Sequence, residues 1–234
     1  LLPVKPLLIQ WTEGNPFFLE ETVRTLVETE ALVGNPGAYQ LGKPVSSIQV
    51  PATVEEVLAA RIDRLLEEDR VLLQSAAVIG KRVPYPVLVG SLDTTEDSLR
   101  ERLRVLQTAE FLYEVSDFPH LEYTFKHALT QEVAHGSLPP ERRRALHARI
   151  LQTMETLYAD HLEEHTDRLA HHAFRGQVWS RALTYLERAG TKALARSANR
   201  EAATYFEEAL AALKHLPESV QTKEQAIDLR FELR

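Results

Sequence analysis

Apolar residues return at helical spacing along almost the whole of this chain, and that periodicity constrains its fold more than any single motif does. Phe17, Leu19, Val23, Leu26 and Val27 recur near the helical period in a segment from 16 to 29 that opens on Pro16. Proline is tolerated in a first helical turn, where its missing N–H would be unpaired anyway. Thr53, with Glu56 three residues on, makes a capping-box pattern ahead of the stripe Val54, Val57, Leu58, Ile62 and Leu65. Further helices are predicted over 67–79, stopped by Gly80, over 85–91, and over 95–108 with Leu99, Leu103 and Leu106 inward.

Two places break the period. Ala31-Leu32-Val33 and Tyr39 with Leu41 flank Gly34-Asn35-Pro36-Gly37, which reads as a small hairpin. Phe111 to Val115 and Leu121 to Phe125 flank SDFPH and make a second hairpin. Three helices followed by a two-stranded wing is the order of a winged-helix domain. Helix then resumes over 127–138, breaks at Pro139-Pro140 and continues over 141–158. Beyond that the pattern is helical only, over 161–175, 178–196, 199–215 and 219–234. Gly190, Ala202, Phe206 and Ala209 fall where a tetratricopeptide repeat has its small, small, aromatic and small positions. Small residues let paired helices approach, and the aromatic fills the adjacent hole.

Composition supports a helical, water-soluble reading. Of 234 residues, 44 % are hydrophobic and 26 % charged, while glycine is scarce at 9. The formal net charge of −7 argues against a duplex-DNA partner, since phosphate affinity comes from clustered Lys and Arg. The chain has no cysteine, so neither a disulfide nor a thiolate metal site is available. No apolar run approaches the roughly 18–20 residues that span a membrane, and residues 1–10 lack a signal peptide's features. The expectation is a cytoplasmic chain with no membrane contact. It opens on Leu1-Leu2-Pro3 without Met, and its last helical pattern runs uncapped into Arg234. Both ends read as those of a segment of a longer protein.

The ordered set GNPFFLEE, VPATVEEVLAARIDRL, SAAVIG, EYTFKHALTQEVAHGSL, RALHARI and ANREAATYFEEALAAL resembles the signal-transduction ATPases with numerous domains. The likeness is to the bacterial branch associated with class III adenylate or guanylate cyclases and with regulator proteins. It covers almost the whole chain, starting in the helical lid after the ATPase core. The resemblance implies ATP or ADP in the parent protein, held by a GxxxxGK[ST] loop with an acidic magnesium site. Neither is identifiable here: Gly80-Lys81 is followed by Arg82, and no glycine precedes it at the right distance. Nucleotide chemistry and Mg would therefore belong to upstream residues, and this chain is expected to be no enzyme by itself. Gly14-Asn15-Pro16 resembles the lid motif whose proline packs against adenine. Phe125-Lys126-His127 resembles the histidine motif whose imidazole reaches a phosphate of ADP; the departure is Ala128, where many relatives carry an acid. The nucleotide-binding residues implied are thus Gly14, Asn15, Pro16 and His127, with no catalytic residue.

Blander readings compete at each position. Gly14-Asn15-Pro16 is also an ordinary turn, Asn cap and first-turn proline, and His127 could be a helix-start histidine satisfied by backbone. His161, His165 and His172 are expected on one helical face, but His161 and His172 would stand roughly 16 Å apart at 1.5 Å per residue. His127, Glu132 and His135 lack HExxH spacing. No metal site is expected. Arg100, Arg102 and Arg104 share their helix with Glu96, Asp97 and Glu101, and the wing adds Glu114, Asp117 and Glu122, which would repel DNA. Arg142-Arg143-Arg144 spreads round a helix as a solvated face. There is no G-x-S-x-G elbow.

The fold expected is mainly α: a winged-helix domain with short β-hairpins followed by a TPR-like helical array. A helical lid remnant is placed at 1–45, the winged helix at 46–138, and helical linker and repeats at 139–234. The function expected is a regulatory and docking segment, joined to an upstream ATPase core and to a protein partner on the repeats. The alternatives are a protein-interaction scaffold without a nucleotide role and a winged-helix DNA-binding regulator. Without the core beside it, the lid is expected to expose Phe17 or Phe18.

Overall fold

The computed structural model describes residues 4–35, 38–44, 48, 51–117 and 120–233. The chain ends, Pro36-Gly37, Phe118-Pro119 and the expected domain boundary at 45–46 therefore fall wholly or partly outside the described residues.

The fold is mainly helical with a few short strands. Helices α1 (Val4–Trp11) and α2 (Pro16–Glu28) come first, then strands β1 (Leu32–Val33) and β2 (Gln40–Leu41). The strands pair antiparallel, Leu32 opposite Leu41, at the predicted hairpin. Asn15 caps α2 by accepting from the N–H groups of Phe17 and Phe18, which would otherwise lack partners in a first turn. Helix α1 was not anticipated. It supplies Leu8 to a small core with Leu26, Ala31 and Leu32 that is separate from the main one. The expected exposure of Phe18 is corrected: its side chain is buried on α2, and Phe17 is half-buried.

Helices α3 (Val54–Asp63), α4 (Glu67–Ile79), α5 (Tyr85–Gly90) and α6 (Glu96–Thr108) follow, with strand β3 (Arg82–Pro84) between α4 and α5. Thr53 Oγ1 accepts from Glu56 N–H at 3.2 Å, and Glu56 reaches back to Ala52 N–H at 2.9 Å, one residue beyond the expected capping partner. Val57, Leu58 and Ile62 are buried as predicted, while Val54 and Leu65 are half-buried. Strands β4 (Leu112–Asp117) and β5 (His120–Phe125) form the predicted second hairpin. Its other edge carries the unforeseen β3, with Val83 opposite Tyr123, in the order β3-β5-β4. Three residues ending in proline are too short a run to signal a strand, and Pro84 sits where an edge strand tolerates it.

Helices α7 (Ala128–Gly136) and α8 (Pro140–Leu157) lead into a 3-10 segment at Ala159–His165, then α9 (Thr166–Arg175), α10 (Trp179–Ala195), α11 (Asn199–Leu213) and α12 (Val220–Glu232). Each of α9 to α12 packs on its predecessor. The predicted α-helix over 161–175 is thus corrected in its first part. A continuous helix would set Asp160 beside Glu163 and Glu164, and those two beside Asp167, at spacings where like charges repel. The tighter turn instead stacks the rings of Tyr158 and His165 at 3.9 Å. His161, at φ −136°, is non-helical, so His161, His165 and His172 do not share a helical face.

One continuous core runs from Ile62 through the three-stranded sheet to Leu229. Its helical end depends on small residues: Ala189, Ala193, Ala202, Ala209 and Ala212 are buried, and Gly190 lies against Phe206. A Cβ added at Gly190 would stand 2.4 Å from Phe206 Cε1, so α10 and α11 approach closer than any other residue there allows. Among the described residues no helix is long and apolar enough to cross a membrane.

Candidate functional site

Phe17, which directly follows Gly14-Asn15-Pro16, meets His127, more than a hundred positions away in sequence, at the junction between α2 and the start of α7. The chain reaches α2 through two left-handed residues, Glu13 at φ 50° and Gly14 at φ 74°, and Gly14 has open space where a Cβ would stand. Only glycine takes this conformation without strain. Asn15 spends its side chain on the cap, which is the blander of its two predicted roles, and Pro16 presents its ring to solvent. Phe17, the next residue, packs its ring on the imidazole of His127 with centroids 4.0 Å apart and planes tilted by 40°.

His127 holds the N-cap position of α7 in extended backbone but makes no side-chain cap. Its carbonyl accepts from Thr130 N–H, so the backbone is satisfied. The side chain is not: Nε2 is buried and has no hydrogen-bond partner among the described residues. A buried polar atom without a partner costs on the order of 1–3 kcal/mol, a cost relieved when a ligand supplies the missing group. The reading of His127 as a histidine satisfied by backbone therefore fails at its ring.

Charges surround this junction in pairs. Lys126 donates to Glu20 of α2 and to Glu110 beyond α6. Arg24 reaches the same Glu110 at 2.5 Å and Glu20 at 3.2 Å. The Lys126 hydrogen bond holds Glu20 below the usual carboxylate range despite partial burial, and the nearby His127 acts in the same direction. Glu110 is lowered by the same lysine and by Arg24. Burial alone would lower Lys126, but the two carboxylates outweigh it and raise its pKa. Arg61 of α3 is buried. It pairs with buried Glu21, binds Glu28 at 2.9 Å and donates to Ala109 C=O at 2.9 Å, with its guanidinium 4.7 Å from the Phe111 ring centroid.

A second cluster escaped the sequence reading. His147 of α8 and His172 of α9 face each other through their Nδ1 atoms at 2.9 Å, both buried. Exposed His171 completes a trio whose ligand atoms all lie within 4.8 Å of one another. Burial, aided by neighbouring histidines and arginines, lowers His147 to about 3 and takes His172 well below its usual value. Partial burial and Arg175 also lower His171. All three imidazoles are therefore neutral lone-pair donors near neutral pH. His135 borders the group and lies 3.3 Å from Arg143 Nη1. The basic run 142–144 does not simply face water: Arg142 lies 4.0 Å from Glu67, Arg143 meets His135, and Arg144 bonds Gln177 at 3.1 Å. On α6, Arg102 pairs with Glu68 and Asp69, and Arg100 with Glu96.

No family model matches the chain. An uncharacterized protein of Rhizobium meliloti (strain 1021) is 27 % identical to it over 207 residues, which cover 88 % of this chain and 20 % of that protein. The chain thus spans about a fifth of the length of the relative it matches.

Proposed function

We propose that this chain is a regulatory and docking segment of a nucleotide-switched signal-transduction ATPase, with a winged helix between the lid and a TPR-like array. One observation carries the reading. The lid motif at Gly14-Asn15-Pro16 and the histidine at 127 adjoin through Phe17, and His127 keeps a buried ring nitrogen that needs a partner. Pro16 then offers an exposed apolar ring to a base, while His127 offers an N–H to a phosphate. ADP and ATP would bias two arrangements of the lid against the winged helix, through contacts that differ between them. The core that holds the phosphates and Mg would lie in the upstream part of the same polypeptide. The helices beyond α8 would carry the change to a protein partner in the cytoplasm.

The test is made in the protein that contains both this chain and that core. ADP should co-purify with it and should be lost or exchange faster in His127→Ala. A well-folded protein that holds no nucleotide, with or without the substitution, would sink the proposal.

A second reading, a protein-interaction scaffold in which the lid and histidine are relics, draws on α12. Ile227 and Phe231 there are 52 % and 62 % exposed, an apolar face on the last helix of the succession. It predicts loss of partner binding on altering that face, with ADP retention indifferent to His127. Regulation through DNA has less support, since the α6 arginines Arg100 and Arg102 are engaged by carboxylates.

A further inference from the structure

We infer that His147, His171 and His172 form a binding site for a single divalent transition-metal ion of the zinc type, set between α8 and α9. Two ligands of a tetrahedral zinc ion at about 2.0–2.1 Å from the metal stand roughly 3.3 Å apart. The Nδ1 atoms of His147 and His172 are 2.9 Å apart, so a few tenths of an ångström of widening admits the ion. With His171 included, one ring nitrogen from each of the three lies within 4.8 Å of the others. Three imidazoles without thiolate or carboxylate suit zinc and its late first-row neighbours rather than magnesium or calcium.

The surroundings supply what such a site needs. His172 has a backbone hydrogen bond at Ile79, at the end of α4, which favours a proton on the ring. An imidazole that donates one N–H to a carbonyl keeps its other nitrogen as a lone pair, the usual arrangement behind a metal ligand. The depressed pKa values work in the same direction, because no proton has to be displaced near neutral pH. The fourth position faces a cleft of about 580 Å³ lined by His147 and His171 together with His135, Glu141, Arg143, Arg144 and Arg175, with room for water or an anion, while His172 borders the adjoining cleft. Those guanidiniums, with Arg168 on the adjoining side, oppose a cation. They favour an anionic fourth ligand and make the site weaker than a charge-balanced one. An ion there would tie the end of α4 to α8 and α9, fixing the first helix of the succession against the body that precedes it.

The competing account is a neutral histidine pair sharing one proton, with the arginines serving an inorganic anion. Zinc content is measured on the purified protein after equilibration with Zn2+ and dialysis, alongside His171→Ala and His147→Gln. His171 is exposed, so its substitution leaves the fold intact by circular dichroism and isolates the ligand. One zinc per chain is expected, weakened by about 100-fold or more in His171→Ala, because losing a ligand exceeds the 10–100-fold effect of an outer-shell partner. Co2+ in its place should give the visible absorption of a four-coordinate site. Zinc absent from the protein at saturating free metal overturns the proposal. So does zinc that persists in both variants, and so does phosphate binding to a protein that takes up no zinc.

Discussion

Two parts of this molecule are held together by different physics. The unit formed by α1, α2 and the β1–β2 hairpin has a small core of its own, and besides the Phe17–His127 ring contact it meets the remainder through charged side chains: Arg61 with Glu21 and Glu28, Arg24 with Glu110, Lys126 with Glu20. The helices α9 to α11 are held by close apolar contact, with alanines and Gly190 bringing backbones together around Phe206. Apolar contact is non-directional and tolerates little change in shape. Buried ions are directional, cost desolvation when paired and more when broken. A seam made of ions has discrete arrangements, which the proposed switch would use, whereas the packed helices resist a change of form.

Breaking the ionic seam should have the largest effect. Arg61→Ala leaves Glu21, itself 2 % exposed, with only the more distant Arg24 at 3.9 Å, and loss of one partner of a buried pair costs about 3–5 kcal/mol. Hydrogen exchange should show protection lost over α2 and α3 while α9 to α11 keep theirs. Equal loss in both regions would break the comparison, since it would mean that the two parts unfold as one.

The packed region is probed by Gly190→Ala. The new methyl would meet Phe206 at 2.4–2.8 Å, and overpacking of this kind costs about 1–3 kcal/mol. Phe206→Leu in the same protein should recover part of it, measured by urea unfolding. A Gly190→Ala protein as stable as the wild type would show that α10 and α11 can part without cost, and the contrast would lose its second half.

Acid separates the regions in another way. His147 is held near pKa 3 by burial, against about 6.5 in the unfolded chain, so the unfolded state takes up a proton that the native state refuses. Stability from this group is complete above pH 6.5 and is lost as pH falls towards 3, at about 1.4 kcal/mol per pH unit for one proton. His147→Phe should flatten the difference in that window, read from denaturation midpoints at pH 7, 5.5 and 4.5. An unchanged slope would mean that His147 titrates normally.

The helices of both parts were legible because their apolar stripes are regular. Pro16–Glu28 and Glu96–Thr108 match their predicted spans within a residue or so; Gly190 lies against Phe206, and Ala202 and Ala209 are buried. What stayed hidden is what depends on tertiary placement. Arg61 has the spacing of a core position and the charge of a surface one, and its partners lie 33 to 48 residues away. His147 and His172 are 25 residues apart on successive helices, so no local motif joins them. The histidines that did share a helical period in sequence were separated by the 3-10 turn at Ala159–His165. Periodicity reports which face is buried; it says nothing of which polar groups meet across the interface.

The smallest effect on stability, and the most informative, belongs to His127→Ala. The substitution removes the Phe17–His127 ring contact, worth about 0.5–1.5 kcal/mol in a favourable pair, but also removes an orphaned polar nitrogen whose burial is unfavourable. The two largely offset, and the net change should stay within about 1 kcal/mol. A larger loss, measured by the same urea unfolding, would mean that Nε2 already has a partner in solution and is no vacant donor. A near-neutral result leaves His127 as a residue whose buried ring costs the fold something without stabilising it. On the proposed reading a ligand would complete that group, and closing the ionic seam and satisfying His127 would be one event.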